Sequence, residues 1–209
     1  PFYQVDAHNC VPVWITSEKR EYAARTIRPK IHKHLNQYLQ KFPKLKEFEL
    51  PKNGDIALPE FERSEYEDYM KMDESVGELS WLEPGTDAAL KQTESFCNTG
   101  LKKFDELRND PNERNICSGL SPWINRGHVS FQRVAMAVKK LNKYASGTAT
   151  FIEEGIVRRE LSDNYVFYAP DTYDSMDSAY EWAQETLRVH ETDPREYIYS
   201  LKELENGET

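Results

Sequence analysis

The chain has 209 residues, a mass of 24.4 kDa and a formal net charge of −9, with 38% hydrophobic and 30% charged residues and a mean hydropathy of −0.79. No apolar run reaches the roughly 18–20 residues that cross a bilayer as a helix, and the opening residues lack a basic-then-apolar secretory pattern, so no membrane partner is expected. Cys10, Cys97 and Cys117 stand far apart with no Cys-x-x-Cys, which argues against a disulfide framework or a cysteine zinc site and points to a reducing compartment, leaving open whether it is nuclear or cytoplasmic.

The short β-branched and aromatic runs Phe2–Val5 and Cys10–Thr16 suit strands or buried loop segments. An amphipathic helix is predicted from about Ala23 to Leu39. A strand or two and one helix cannot close a sheet, because a parallel layer needs several strands covered by helices. Residues 1–42 therefore read as the remnant of an α/β domain. Between Pro43 and Pro84 periodicity is lost, with prolines at 43, 51, 59 and 84 and an acidic cluster from Glu60 to Glu78, so 43–85 is predicted to be a linker or long crossover. Thr86 and Asp87 signal the N-cap of a helix carrying Leu90, Cys97, Leu101, Phe104 and Arg108, which Asp110 and Pro111 stop. Phe131, Val134, Ala135, Val138 and Leu141 define a second helix. A third is predicted to open with a capping box, Thr150 and Glu153, and to run to about Tyr168. The fourth, from about Ser175 to His190, carries Met176, Tyr180, Ala183 and Leu187 on one face. The chain begins without methionine and ends in a charged stretch with no closing element, which reads as a piece of a longer protein.

Charge is uneven. Residues 151–209 hold 15 acidic and 5 basic side chains, whereas residues 101–143 hold nine Lys or Arg against four acids. That basic stretch suits a polyanion. Nucleotide-loop, hydrolase-elbow and zinc-protease motifs are all missing. Asp6 and His8 resemble half a metal site, yet such a pair near a terminus is ordinarily a hydrogen-bonded turn, so no metal is expected. His32, His34, His128 and His190 read as surface positions.

Two segments are informative. Arg108-Asn109-Asp110-Pro111 leads into the hydroxyl-bearing bend Cys117-Ser118-Gly119-Leu120-Ser121-Pro122-Trp123, where hydroxyls and free amides suit a phosphate; a capped interhelical loop is the plainer reading. In the helix from Glu153 to Asn164, Glu154, Arg158, Leu161 and Tyr165 share one stripe, and Glu153, Glu160 and Asn164 an adjacent one. This is either a set of weak i,i+4 pairs or a half-buried polar face able to hydrogen-bond a planar ligand such as a base edge.

Together, Ser80–Gly85, Arg108–Pro111, Leu120–Trp123, Gly127–Arg133 and Val157–Tyr165 resemble class II cyclobutane pyrimidine dimer DNA photolyases, in order and spacing. Gln4–Asn9, Val11–Trp14 and Glu21–Arg28 look like the end of that family's α/β antenna domain, and Tyr180–Ala183 with Arg195–Leu201 like its helical flavin domain. The resemblance implies a mainly α fold: the N-terminal half of a helical FAD-binding and DNA-binding domain (86–209), preceded by the linker (43–85) and a remnant of a Rossmann-like α/β antenna domain (1–42). It implies a carbon–carbon lyase that uses reduced FAD and light to split dimers in UV-damaged DNA, working as a monomer, with an antenna chromophore of unspecified identity in the missing N-terminal domain.

By this resemblance the bend Cys117, Ser118, Gly119, Leu120 and Ser121 lines the flavin's phosphate and ribitol. Phe104 stands where the family often has a tyrosine, removing one hydroxyl contact. Phe151 and Glu154 reach the flavin and lesion, Glu154 being the catalytic group that hydrogen-bonds the dimer. Arg158 and Arg159 lie by the DNA lesion, and Arg108 enters the gap left by the flipped bases, whose extrusion costs little once damaged. Ile124-Asn125-Arg126-Gly127 departs from the family's His-Phe-Gly pattern, which suggests a charge near the domain's heart and altered packing of the second helix. Members of the family are longer, so this chain alone is expected to bind FAD weakly or not at all. A photolyase-like photoreceptor without repair activity and an acidic helical adaptor are the competing readings; Glu154 and Arg108 favour repair over the first, the basic stretch disfavours the second.

Overall fold

The structure, a computed structural model, describes residues 1–44, 75 and 77–209. The predicted linker and its acidic cluster lie mostly outside the described residues. Val13–Thr16 forms α1 and Ala24–Tyr38 forms α2. Ile27, Ile31 and Leu35 recur at helical spacing along α2 and are all buried, the stripe that period 3.6 demands. Of the two readings for the opening runs, strand or buried loop, the strand does not form: no strand occurs among the described residues. Phe2, Tyr3 and Val5 are exposed, while Cys10 and Val11 are buried in loop. A lone extended segment has no neighbour to pair with, so its amides turn to side chains instead.

Thr86–Asn98 (α3), a 3₁₀ turn at Gly100–Lys103 and Phe104–Leu107 (α4) replace the single helix predicted from Thr86 to Arg108. The break has a steric cause. A Cβ on Gly100 would lie 2.5 Å from the Ile116 carbonyl oxygen, so the chain narrows here to let the following loop pass. The cap differs as well: Gly85, at φ 106°, takes the N-cap position, and the Thr86 hydroxyl donates to the His128 carbonyl instead.

Ser121–Asn125 is α5 and Phe131–Leu141 is α6. Ser130 caps α6, and Asn142 closes it in the left-handed conformation. Ile124 is half-buried, but Asn125, Arg126 and Gly127 are exposed. The Arg126 charge therefore sits at the surface, not in the domain's heart, and α6 keeps its predicted bounds. The third helix starts earlier than predicted, at Ala145. Ala145–Ile152 (α7) runs through a π segment, Glu153–Arg158, into Arg159–Tyr168 (α8). Thr150 is thus inside a helix, and no capping box forms with Glu153, whose carboxylate is taken by Arg28 at 2.6 and 2.8 Å. The fourth helix is shorter than predicted: a 3₁₀ turn at Met176–Ser178, then Glu181–Val189 (α9). Leu201–Asn206 (α10) follows, opened by a true capping box, Ser200 with Glu203.

One hydrophobic cluster joins Cys10, Val11 and the buried stripe of α2 to Phe96, Phe104, Trp123, Phe131, Val134, Phe151 and Ile156. At its centre four phenylalanines, 96, 104, 131 and 151, meet at 4.8–5.6 Å between ring centroids, two of the pairs edge to face. Gly155 makes room for them: a Cβ there would fall 1.7 Å from Phe131 Cζ.

Beside α2, Glu21 is buried and takes a 2.5 Å hydrogen bond from Lys30 and one of 2.6 Å from Ser17. Burial alone would raise its pKa, but the bonds from Lys30 and Ser17 outweigh it and hold the carboxyl at about 2. This stabilisation is full above the unfolded value of 4.5 and is lost as pH falls through about 2. Lys30→Met strands the carboxylate and is expected to lower stability by about 2 kcal/mol at neutral pH, less than a fully buried pair because Lys30 is itself 39% exposed. Urea unfolding at pH 7 and pH 3 checks it: the deficit shrinks at pH 3.

Candidate functional site

The π segment Glu153–Arg158 carries the site. A π turn adds a residue to the helical repeat, rotates the side chains beyond it, and occurs often at functional positions. Here it brings Glu153 and Glu154 to two different neighbours. Glu153 faces α2 and is bound bidentately by Arg28; the hydrogen bonds from Arg28 hold its pKa below the usual carboxylate range. Glu154 faces α4, where its Oε1 lies 3.4 Å from the Arg108 guanidinium. Arg158 Nε reaches both carboxylates, at 3.7 Å from Glu153 and 3.9 Å from Glu154. The result is a five-membered charge network from Arg28 to Arg108, with the Glu154 side chain one-third exposed.

Arg108 connects this network to the bend. Its Nη1 donates to the Asp105 carbonyl, and its own carbonyl accepts from Cys117 Sγ at 3.6 Å. In the bend, Gly119 takes φ 63°, Gln92 donates to the Ser118 carbonyl at 2.7 Å, and Leu120 N–H donates to Ser118 Oγ. Leu120 is buried; Cys117, Gly119 and Ser121 are exposed. The amides of Ser118 and Gly119 and the Ser121 hydroxyl have no hydrogen-bond partner among the described residues. These are uncharged donors left open, the set that a phosphate-bearing nucleotide needs.

Arg108, Glu154 and Arg158 are thus brought together, and the bend joins them through the Arg108 carbonyl. Phe104 and Phe151 are not at the surface of this wall. They are buried against each other, 5.4 Å between ring centres, directly behind it. Arg159 points elsewhere: it lies over the Phe131 ring and donates to the His8 carbonyl.

The adjacent stripe has a different task. Glu160, Asn164 and Tyr168, spaced four apart on α8, grip the backbone of residues 10–21. Glu160 accepts from Cys10 N–H at 2.5 Å and Val11 N–H at 3.4 Å, Asn164 bonds the Glu21 amide and the Lys19 carbonyl, and the Tyr168 hydroxyl donates to the Ser17 carbonyl. Burial drives Glu160 up to about 7 despite these bonds. The sign follows: the native state holds the proton more tightly, so this group's contribution is full below pH 4.5 and is lost as pH rises through about 7. The loss amounts to about 3 kcal/mol, and Glu160→Gln is expected to remove it. Thermal unfolding from pH 5 to 8 checks this: the wild type loses stability across that range faster than the variant.

Among the described residues no cluster of metal-ligand type exists and no helix is long and apolar enough to cross a membrane. Asp6 instead accepts from the amides of His8, Asn9 and Val13, the turn expected of it.

Compared with curated proteins, the chain aligns along its whole length with enzymes of one name. It is 43% identical over 210 residues to a deoxyribodipyrimidine photo-lyase of Potorous tridactylus, 42% over 216 to that of Arabidopsis thaliana and 38% over 209 to that of Methanothermobacter thermautotrophicus. The chain is similar to deoxyribodipyrimidine photo-lyases. No family model matches it. The alignments cover 99–100% of this chain but 39–45% of those photo-lyases, so the chain spans less than half the length of the curated relatives it matches. The photo-lyase likeness therefore takes in α4, the bend and the π segment together.

Sequence reasoning missed Arg28. Its signal was a charge at the edge of the α2 apolar stripe, one residue beyond Ile27, where a core-facing helix with no polar partner would carry none. It also missed that the Glu160 stripe binds backbone; neither the spacing of Glu160 and Asn164 nor their type names a partner.

Proposed function

We propose that this chain is part of a class II cyclobutane pyrimidine dimer DNA photolyase, in which residues 86–209 form the first part of the helical flavin domain and residues 1–42 the end of the antenna domain. The observation that carries this reading is the continuous chain of contacts from the Cys117–Ser121 bend through Arg108 to Glu154, within a chain 38–43% identical throughout to photo-lyases.

The donors of the bend fit FAD: Ser118, Gly119 and Ser121 offer open amides and a hydroxyl to its phosphate and ribitol, with no lysine or arginine in the bend itself. Phe104 and Phe151 back this wall and keep water from its rear. Held by Ser118, Gly119 and Ser121, reduced FAD would supply the light-driven electron transfer that dimer splitting requires. Glu154 accepts hydrogen bonds from the dimer's base edges. Arg158 stands beside the lesion, and Arg108 leaves Glu154 to fill the gap in the duplex. The basic stretch of residues 101–143 neutralises backbone phosphates.

Half a cofactor pocket cannot exclude water, so the 209 residues alone bind FAD weakly or not at all. The test is a chimera in which this chain replaces the aligned residues of the Potorous tridactylus relative. The folded chimera is expected to retain FAD through gel filtration, while the 209-residue chain loses it. A folded chimera that releases FAD, or light-driven repair by the 209 residues alone, would contradict the proposal.

A further inference from the structure

A cavity of about 550 Å³ opens where α2, α6 and α7 converge, and neither Phe151 nor Glu154 lines it. Its size is that of a small-molecule site. The floor is apolar: Leu35, Ala145, Ala149 and Ile152. The rim is cationic. Lys139 and Lys143 line it, and neither has an ion-pair or hydrogen-bond partner for its ammonium among the described residues. The lone carboxylate in the lining, Glu153, is already neutralised by Arg28 and Arg158, and His32 lies near enough to favour its charge further.

The start of α7 adds to this field. No side chain caps it, and Tyr144 and Ala145 at its start line the cavity, so the positive end of the helix lies at the rim. Asn142 and Tyr144 both take left-handed backbone angles, φ 49° and 52°, which turn the chain sharply at the mouth between Lys139 and Ala145. Apolar floor, two unpaired ammonium groups and the positive end of a helix form one recognition pattern: grease below, positive charge above.

We propose that this cavity binds a small organic anion, an apolar body with one acidic head, at a site that borders the charge network through Glu153 and leaves Glu154 outside its lining. The apolar body displaces water from Leu35, Ala149 and Ile152, and the head pairs with Lys139 and Lys143. The probe is 8-anilinonaphthalene-1-sulfonate, with the neutral N-phenyl-1-naphthylamine as its uncharged counterpart, titrated by fluorescence into the 209-residue chain.

The sulfonate is expected to bind saturably and at least tenfold more tightly than the amine. K139E/K143E should weaken the sulfonate tenfold or more and leave the amine unchanged, since both lysines are exposed and the floor is untouched. Ala149→Trp fills the cavity from an exposed helix position and should abolish both. Equal affinity for the two probes would make the cavity a plain apolar seat for a peptide segment and overturn the proposal. So would sulfonate binding that survives Ala149→Trp in a chain with unchanged far-ultraviolet circular dichroism. Glu154→Gln should leave both probes bound as before, which separates this site from the repair wall.

Discussion

Glu154→Gln in the chimera is expected to slow light-driven dimer splitting by about tenfold to a hundredfold, with FAD retained and the fold intact. Glutamine preserves the shape of the side chain but removes its charge, and a charge-assisted hydrogen bond is worth roughly 1.5–3 kcal/mol, each 1.4 kcal/mol being about tenfold in rate. Because Glu154 is partly exposed and its partners keep other contacts, Arg158 with Glu153 and Arg108 with the Asp105 carbonyl, removing its charge should cost little stability. Repair is followed as loss of dimers from an irradiated oligonucleotide under blue light. A variant that repairs at the wild-type rate places Glu154 outside the reaction.

Gly147→Ala carries the largest expected effect on folding. A Cβ at this position would meet the Leu101 carbonyl oxygen at 2.0 Å and its carbonyl carbon at 3.2 Å. Backbone cannot swing aside as a side chain does, so α7 must move off the 3₁₀ turn at Gly100–Lys103 or the turn must open. Since overpacking by a methyl in a core that can adjust costs 1–3 kcal/mol, this rigid contact should cost about 3 kcal/mol or more, a fall of roughly 6–12 °C in Tm for a chain of this size. Gly77→Ala, where nothing lies within 4 Å of the added Cβ, is the matched control and should change Tm by less than about 2 °C. The damage at Gly147 reaches the site through Leu101, which neighbours Phe104 and the wall behind the bend.

Helices with a single apolar stripe were legible from sequence. α2 and α6 carry Ile27, Ile31 and Leu35, and Val134, Ala135 and Val138, at the period that burial requires, and their limits are met within a residue. Boundaries set by contacts across the chain were not. The break at Gly100 exists because the backbone of Ile116 passes within reach of a Cβ, and the early start of α7 because Gly147 packs on Leu101; neither neighbour is local. Thr150 and Glu153 matched a capping box perfectly in type and spacing, yet Arg28, 125 residues away, competes better for the carboxylate. The polar stripes of residues 153–164 were visible as unusual, and their mixture of roles was not: Glu154 and Arg158 join the charge network that ends at Arg108, while Glu160 and Asn164 turn inward to backbone groups. The difference arises at the π segment, whose extra residue per turn shifts the register between them, and no residue type announces a π turn.

In the proposed function, the bend, Arg108 and Glu154 form one wall where a flavin and a damaged base meet. Its most direct test is dimer content in a thymine-dimer oligonucleotide incubated with the chimera and reduced FAD, in blue light and in darkness. The claim requires dimers to disappear in the light alone and to persist in the dark. Dimers that survive illumination, with the chimera folded and its flavin reduced, would contradict it.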